Sequence, residues 1–148
     1  MGTPVESRGS VLVVDDYGPF REMLQHALEL AGYLTVAAGT GSGALASAVA
    51  CGRVDVALVD LGLPDRPGVE IADELVGRGL AGRAVLMSGL PADDLVWPEG
   101  WTAEREVLLK PYGMEELLDR IAAAVGAVRR EAAQAGSGEP VSRAADGQ

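Results

Sequence analysis

Basic side chains are scarce in this sequence: 12 Lys and Arg stand against 22 Asp and Glu, a formal charge of −10. A chain that grips a phosphate backbone by itself needs clustered Lys and Arg, so no direct nucleic-acid binding is expected. An acidic balance does leave room for a metal ion. Cysteine is almost missing. Cys51 is the only one, which excludes an internal disulfide and makes a reducing, cytoplasmic setting the simplest expectation. No apolar run approaches membrane-spanning length, and the opening MGTPVESRGS lacks the apolar core of a secretory signal, so no membrane partner is expected. The N-terminus also misses the myristoylation pattern, because Glu6 stands where Ser or Thr is required. No internal repeat is found.

What is present reads as one domain: 148 residues with 48% hydrophobic content suffice for a proper core. Residues 1–9 are small and polar and are expected to be a flexible N-terminus. Residues 131–148 mix Gly, Ser, Pro and Ala without apolar period and read as a flexible tail or linker. Between them, over residues 10–130, short apolar runs alternate with helical patterns. Val11–Val14, Leu34–Ala37, Val56–Val59, Ala84–Met87 and Glu106–Leu109 have the composition of strands buried on both faces. Phe20, Met23, Leu24, Ala27, Leu28 and Ala31 recur at helical spacing, with Gly32 placed to stop the helix. Shorter helices are predicted over Ala44–Val49 and around Val69, Ala72, Leu75 and Val76. A last helix carries Met114, Leu117, Leu118, Ile121 and Val125, with Glu115 and Glu116 early and Arg129 and Arg130 late, as the helix dipole favours. The fourth connection, GLPADDLVWPEGW, leaves room between Pro91 and Pro98 only for a short helix near Ala92–Val96.

Five strands alternating with helices imply right-handed crossovers and a doubly wound α/β fold, a parallel sheet covered on both faces. Ligands of such sheets sit at the carboxyl ends of the strands. Asp15 and Asp16 follow the first strand, Asp60 ends the third, Ser88 the fourth and Lys110 the fifth, so all five polar groups fall on one edge. Singly, each has an ordinary structural explanation: Asp16 before Gly18-Pro19 as a helix cap, Asp60 in a turn, Ser88-Gly89 as a turn dipeptide. Their convergence on one edge favours a functional site.

The ordered blocks VLVVDD, VALVDLGLPDRPGVE, AVLMSG and VLLKP resemble the receiver domains of bacterial two-component response regulators, with AGTGSGAL loosely similar to the start of that family's second helix and MEELLDRIAAAV to its fifth helix. The resemblance spans Val11 to Val125. It implies a flavodoxin-like (βα)5 fold with strand order 2-1-3-4-5. It implies Mg2+ as cofactor, with Asp16, Asp60 and the Gly62 carbonyl as ligands and Asp15 as a ligand through water. Such a site suits Mg2+, which takes few carboxylates, retained waters and a substrate phosphate. Asp60 becomes the phosphoacceptor, taking a phosphoryl group from a histidine kinase or phosphotransfer protein. Ser88, Gly89 and Lys110 become the phosphoryl-binding residues, Ser88 and Lys110 also acting in catalysis. The resemblance further implies a cis bond at Lys110-Pro111 and a switching surface over residues 89–109 that signals to a downstream protein target.

The sequence departs from the family pattern in three places. Val107 stands where many receivers carry a switch aromatic, Gly62 offers no side chain near the phosphoacceptor, and the fourth helix is short with Trp97 and Trp101 beside it. Similar looping occurs in receivers attached to hybrid histidine kinases. A stand-alone regulator and a piece of a larger protein both fit, and without a DNA-binding segment the chain is not expected to be a transcription factor by itself. Among other classes, Gly39, Gly41 and Gly43 suggest a nucleotide or S-adenosylmethionine loop, but the pattern is neither GxGxxG nor a P-loop. A haloacid dehalogenase-type phosphatase needs a second acid two residues after Asp15, where Tyr17 stands. A receiver-like module that binds partners without phosphorylation is the alternative function. His26 is expected on a solvated helix face, and Cys51 as a small packing residue.

Overall fold

The computed structural model describes residues 7–146, with side chains through Ala135. Strands β1 (Ser10–Val14), β2 (Leu34–Ala38), β3 (Val54–Asp60), β4 (Ala81–Ser88) and β5 (Glu106–Leu109) alternate with helices α1 (Gly18–Leu30), α2 (Gly41–Cys51), α3 (Gly68–Gly77) and α4 (Met114–Asp146). All four strand pairings are parallel, and the sheet order is β2-β1-β3-β4-β5. The expected flavodoxin-like arrangement is the one observed.

Alternation along the buried strands sends successive residues to opposite faces. Val11, Val13, Val56, Leu58, Val85, Met87 and Leu108 pack against Leu24 and Leu28 of α1 and Leu117 and Ile121 of α4. Leu12, Val14, Ala57, Val59 and Leu86 face Ala44 and Ala48 of α2 and Ile71, Ala72 and Leu75 of α3. The small side chains of α2 let that helix lie close to the sheet, which explains a strand-rich core built with little aromatic bulk.

Helix ends follow local chemistry. Pro19 lies in the first turn of α1, which carries no side-chain cap, so Asp16 does not serve as one. Gly32 takes a positive φ of 103° after the helix, with its amide bonded to Glu29 and that of Tyr33 to Leu28, a Schellman ending. The connection from β4 to β5 holds only a 3-10 turn at Ala92–Asp94, because Leu95 is already extended and Pro98 follows. The fourth helix is thus shorter than its expected span.

Contacts at one end and helix at the other flank the sheet. The Arg8 amide donates to the Gly32 carbonyl, and its guanidinium lies over the Tyr33 ring; residues 1–6 of the expected N-terminal tail lie outside the described residues. Helix α4 continues to Asp146 through the segment expected to be a tail. Glu131, Ala132 and Ala133 are good helix formers, and carrying the helix over them past Arg130 avoids a new nucleation penalty.

Leu58 is fully buried at the centre of the sheet. Leu58→Ala is expected to lower unfolding stability by about 3 kcal/mol, seen as a lower urea midpoint at unchanged slope.

Candidate functional site

Parallel register collects the site. Val14 pairs with Val59, Asp60 with Met87, and Ser88 with Leu109. Each strand therefore runs out at nearly the same level, and the next residues emerge together. Single backbone bonds carry the ladder one step further: Asp15 N–H to Ala38, Leu61 N–H to Met87, and Lys110 N–H to Ser88 at 2.7 Å. The carboxylates and the ammonium are thereby mounted on the most rigid part of the fold.

One oxygen from each of Asp15, Asp16 and Asp60 lies within 4.8 Å of the others. Asp15 and Asp60 are buried and Asp16 is exposed. Burial holds the Asp15 carboxyl above its usual range, and the neighbouring charges of Asp60 and Asp16 push the same way. The Tyr17 amide, donating to Asp15 Oδ1 at 2.9 Å, and the Lys110 charge oppose that shift. Arg21 donates to the Asp15 backbone carbonyl at 2.8 Å and fixes the turn between the two acids. Asp60 is engaged on both oxygens: Lys110 Nζ is 2.5 Å from Oδ1, and the Gly62 amide donates to Oδ2 at 3.1 Å. Gly62 thus reaches the site through its N–H. Three carboxylates converging from the ends of β1 and β3 form a hard-oxygen donor set that fits a small divalent cation.

Ser88 is buried beside them, and its hydroxyl is committed to the following turn. It donates to the Leu90 carbonyl at 2.8 Å and accepts from the Leu90 amide at 2.9 Å. A Cβ placed on Gly89 would meet no atom within 4 Å, so open space adjoins the strand end. The Lys110-Pro111 bond is cis, as expected. Gly68 is needed for close approach: a Cβ there would lie 2.2 Å from the Asp60 carbonyl oxygen.

Tyr112 was not evident as a site residue from sequence. Its hydroxyl donates to Met87 Sδ at 3.0 Å, and its pKa is pushed up to about 12 by burial first and then by Asp15 and Asp60. Its position two residues after Lys110 was the available signal. The remaining candidates separate from the site. The amides of Gly41 and Ser42 are taken by Asp65 and that of Gly43 by the Thr40 hydroxyl, so the glycine-rich loop presents a filled helix start, not a phosphate cradle. His26 is exposed on α1, as expected. Cys51 is also exposed, which corrects its expected packing role: it falls in the last turn of α2, turned from the sheet toward the carbonyls of Ala48 and Arg53. Trp97 and Trp101 pack with centroids 4.9 Å apart and planes tilted by 56°, half-buried against the α2–α3 face. Val107 is half-buried, and its carbonyl accepts from Arg120 of α4.

The family model described as response regulator receiver domain matches residues 11–122. Among curated proteins, the transcriptional regulatory protein KdpE of Mycobacterium tuberculosis H37Rv is 38% identical over 88% of this chain and 56% of its own length. The DNA-binding response regulator MtrA of Mycolicibacterium smegmatis is 33% identical over 78% of this chain and 50% of its own. The chain spans about half the length of these relatives. Among solved structures, the response regulator TrrA of Thermotoga maritima, in complex with Mg2+ and BeF, aligns with a TM-score of 0.65 at 28% identity, covering 78% of this chain and 97% of that one. The receiver domain of a signal transduction histidine kinase from Syntrophus aciditrophicus aligns with a TM-score of 0.69 at 25% identity, covering 82% and 93%.

These relatives overturn one expectation. A chain without nucleic-acid partners was expected from its acidic charge, yet the matched proteins are transcriptional regulators, one named as DNA-binding. The charge argument concerns the surface of this segment alone, and DNA contacts in a protein twice as long need not use that surface. No described helix is long and apolar enough to cross a membrane.

Two outcomes follow from the geometry. In chelator, Asp15→Asn is expected to stabilise the protein at neutral pH, since the amide still accepts from Tyr17 but carries no buried charge. The Asp15 pKa is raised when folded, so this gain fades as pH falls through that raised value toward 3.8, as urea titrations along a pH series would read. Gly68→Ala is expected to cost about 1–3 kcal/mol by forcing α3 off the Asp60 carbonyl.

Proposed function

The chain belongs to the response regulator receiver domain family, and from that premise we propose that it is a phosphoacceptor that takes a phosphoryl group onto Asp60 from a histidine kinase or phosphotransfer protein. The observation that carries the proposal is the Asp60 carboxylate itself, buried at a strand end against Lys110 and two further acids. A cytoplasmic location goes with such a donor.

An Asp60 oxygen attacks phosphorus; the new O–P bond forms as the donor's P–N bond breaks, and the electron pair leaves with the imidazole, which takes up a proton. Asp16, Asp60 and the Gly62 carbonyl, with Asp15 through water, are the groups that would hold Mg2+, whose charge lets acids and phosphoryl oxygens share one pocket. Lys110 neutralises Asp60 at rest. Once that carboxylate becomes an acyl phosphate its charge resides on the phosphoryl oxygens, and the ammonium is already beside them.

Ser88 supplies the link to a partner. To donate to a phosphoryl oxygen, its hydroxyl must leave the Leu90 carbonyl, and the Leu90 amide then loses its acceptor. Both changes release the turn that begins the 89–109 connection. The space beside Gly89 admits the added group. With Val107 in place of an aromatic, the moving parts are the connection and its paired Trp97 and Trp101, not a ring on β5. This surface signals to the downstream protein.

Incubation with acetyl phosphate and Mg2+ is expected to add one labile phosphoryl group by intact mass, absent from Asp60→Asn and in chelator. Lys110→Ala is expected to slow the addition by about 100-fold. Ser88→Ala is expected to accept the group yet lose the change in tryptophan emission that accompanies it in the parent. A parent that stays unmodified would leave a phosphorylation-independent binding module as the function.

A further inference from the structure

The segment joining Asp60 to α3 carries the Gly62 amide that orients the Asp60 carboxylate. Its far end is locked, because Gly68 donates to the Leu61 carbonyl at 3.1 Å and packs against the Asp60 backbone. Its middle is tied twice: Arg66 pairs with Glu74 and Glu70 of the following helix α3, while Asp65 reaches across to α2. Asp65 Oδ1 accepts from the Gly41 amide at 2.8 Å and Oδ2 from the Ser42 amide at 3.0 Å, a two-point clamp across 24 and 23 residues onto the first turn of α2.

The clamp has a fixed anvil. A Cβ on Gly41 would lie 2.5 Å from Ile71 Cδ1 and 3.3 Å from Asp65 Oδ1, so the helix start can come this close only as glycine. Ile71 is fully buried in α3. Asp65 is thereby held between a capped helix and the element that follows its own loop. A carboxylate facing amides at a positive helix end is held below its usual pKa by those two bonds.

We infer that Asp65 is a positioning residue for the Mg2+-dependent phosphoryl site: by clamping the 61–67 loop to the start of α2 it holds Gly62 where its amide orients Asp60 and its carbonyl can join the cation's ligands. The inference rests on the receiver reading above. Asp65 touches neither the acid cluster nor Lys110; it acts through the loop. Outer partners that orient a metal's ligands commonly change affinity by about 10–100-fold when removed.

Thr40 separates this role from simple helix capping. Its hydroxyl accepts from the Gly43 amide in the same helix turn but has no bond to the 61–67 loop. Mg2+ alone would be titrated calorimetrically into the parent, Asp65→Ala, Asp65→Asn and Thr40→Ala. Asp65→Ala is expected to weaken Mg2+ binding about 10-fold. Asp65→Asn, which keeps one acceptor oxygen, should fall between it and the parent, and Thr40→Ala should match the parent despite a lower urea midpoint. Amide exchange measured by NMR is expected to speed at Gly41, Ser42 and Gly62 in Asp65→Ala, and only in the α2 turn in Thr40→Ala. Parent-like Mg2+ affinity in Asp65→Ala overturns the inference, as does an equal loss in Thr40→Ala, which would make Asp65 a cap. Equal losses in Asp65→Asn and Asp65→Ala assign the effect to charge and overturn the clamp. A parent that binds no Mg2+ overturns both this inference and the Mg2+-dependent phosphoacceptor function it rests on.

Discussion

Three carboxylates crowd one strand edge with a single ammonium among them. At a separation near 4.8 Å, two like charges repel by about 3 kcal/mol at an effective dielectric of about 20. Lys110 can neutralise one acid, and it is spent on Asp60. Burial raises the Asp15 pKa first, and the remaining acid charges push it the same way. A site that retains this repulsion in its resting form gains affinity for whatever positive charge enters, so the crowding is the source of its chemistry. Much of the surrounding structure serves to hold the acids in place: the Tyr17 and Gly62 amides, the Arg21 bond to the Asp15 carbonyl, and the bare approach of Gly68.

The sheet makes such crowding sustainable. Its central strands β1, β3 and β4 are largely buried between two apolar layers, the edge strands β2 and β5 less so, and their register brings the acids out at one level. A one-residue slip would turn every apolar side chain to the other face, so the same packing that stabilises the domain fixes the site's geometry. On the β5 side the scaffold is looser by design of sequence: prolines cut the fourth connection to one turn, and two tryptophans and the Ser88–Leu90 bonds stand in for a helix. Rigid acids beside a lightly tied connection suit a group that must stay still while its neighbour responds.

Net charge proved a poor guide to partners. The acidic surface describes this segment, whereas the relatives it matches are DNA-binding and transcriptional regulators of about twice its length. The family's kinship with such proteins was legible only through the ordered motifs.

Sequence alone determined the succession of apolar runs along the chain, the edge on which Asp15, Asp16, Asp60, Ser88 and Lys110 emerge, and the family resemblance with the sheet order it implies. Each of these depends on local hydrophobic period and on motifs short enough to read along the chain. Tertiary structure decided the rest. Asp65 looks like an ordinary turn residue until α2 is brought against it from 24 positions away. Tyr112 is anonymous until burial sets its hydroxyl between Met87 and the acids. Gly41 and Gly43 resemble a ligand loop until Asp65 and Thr40 are seen to occupy their amides. Cys51 reads as interior until the turn of α2 shows it outside. In each case the deciding partner is distant in sequence or set by which way a helix face turns, and neither quantity is carried by residue type and spacing.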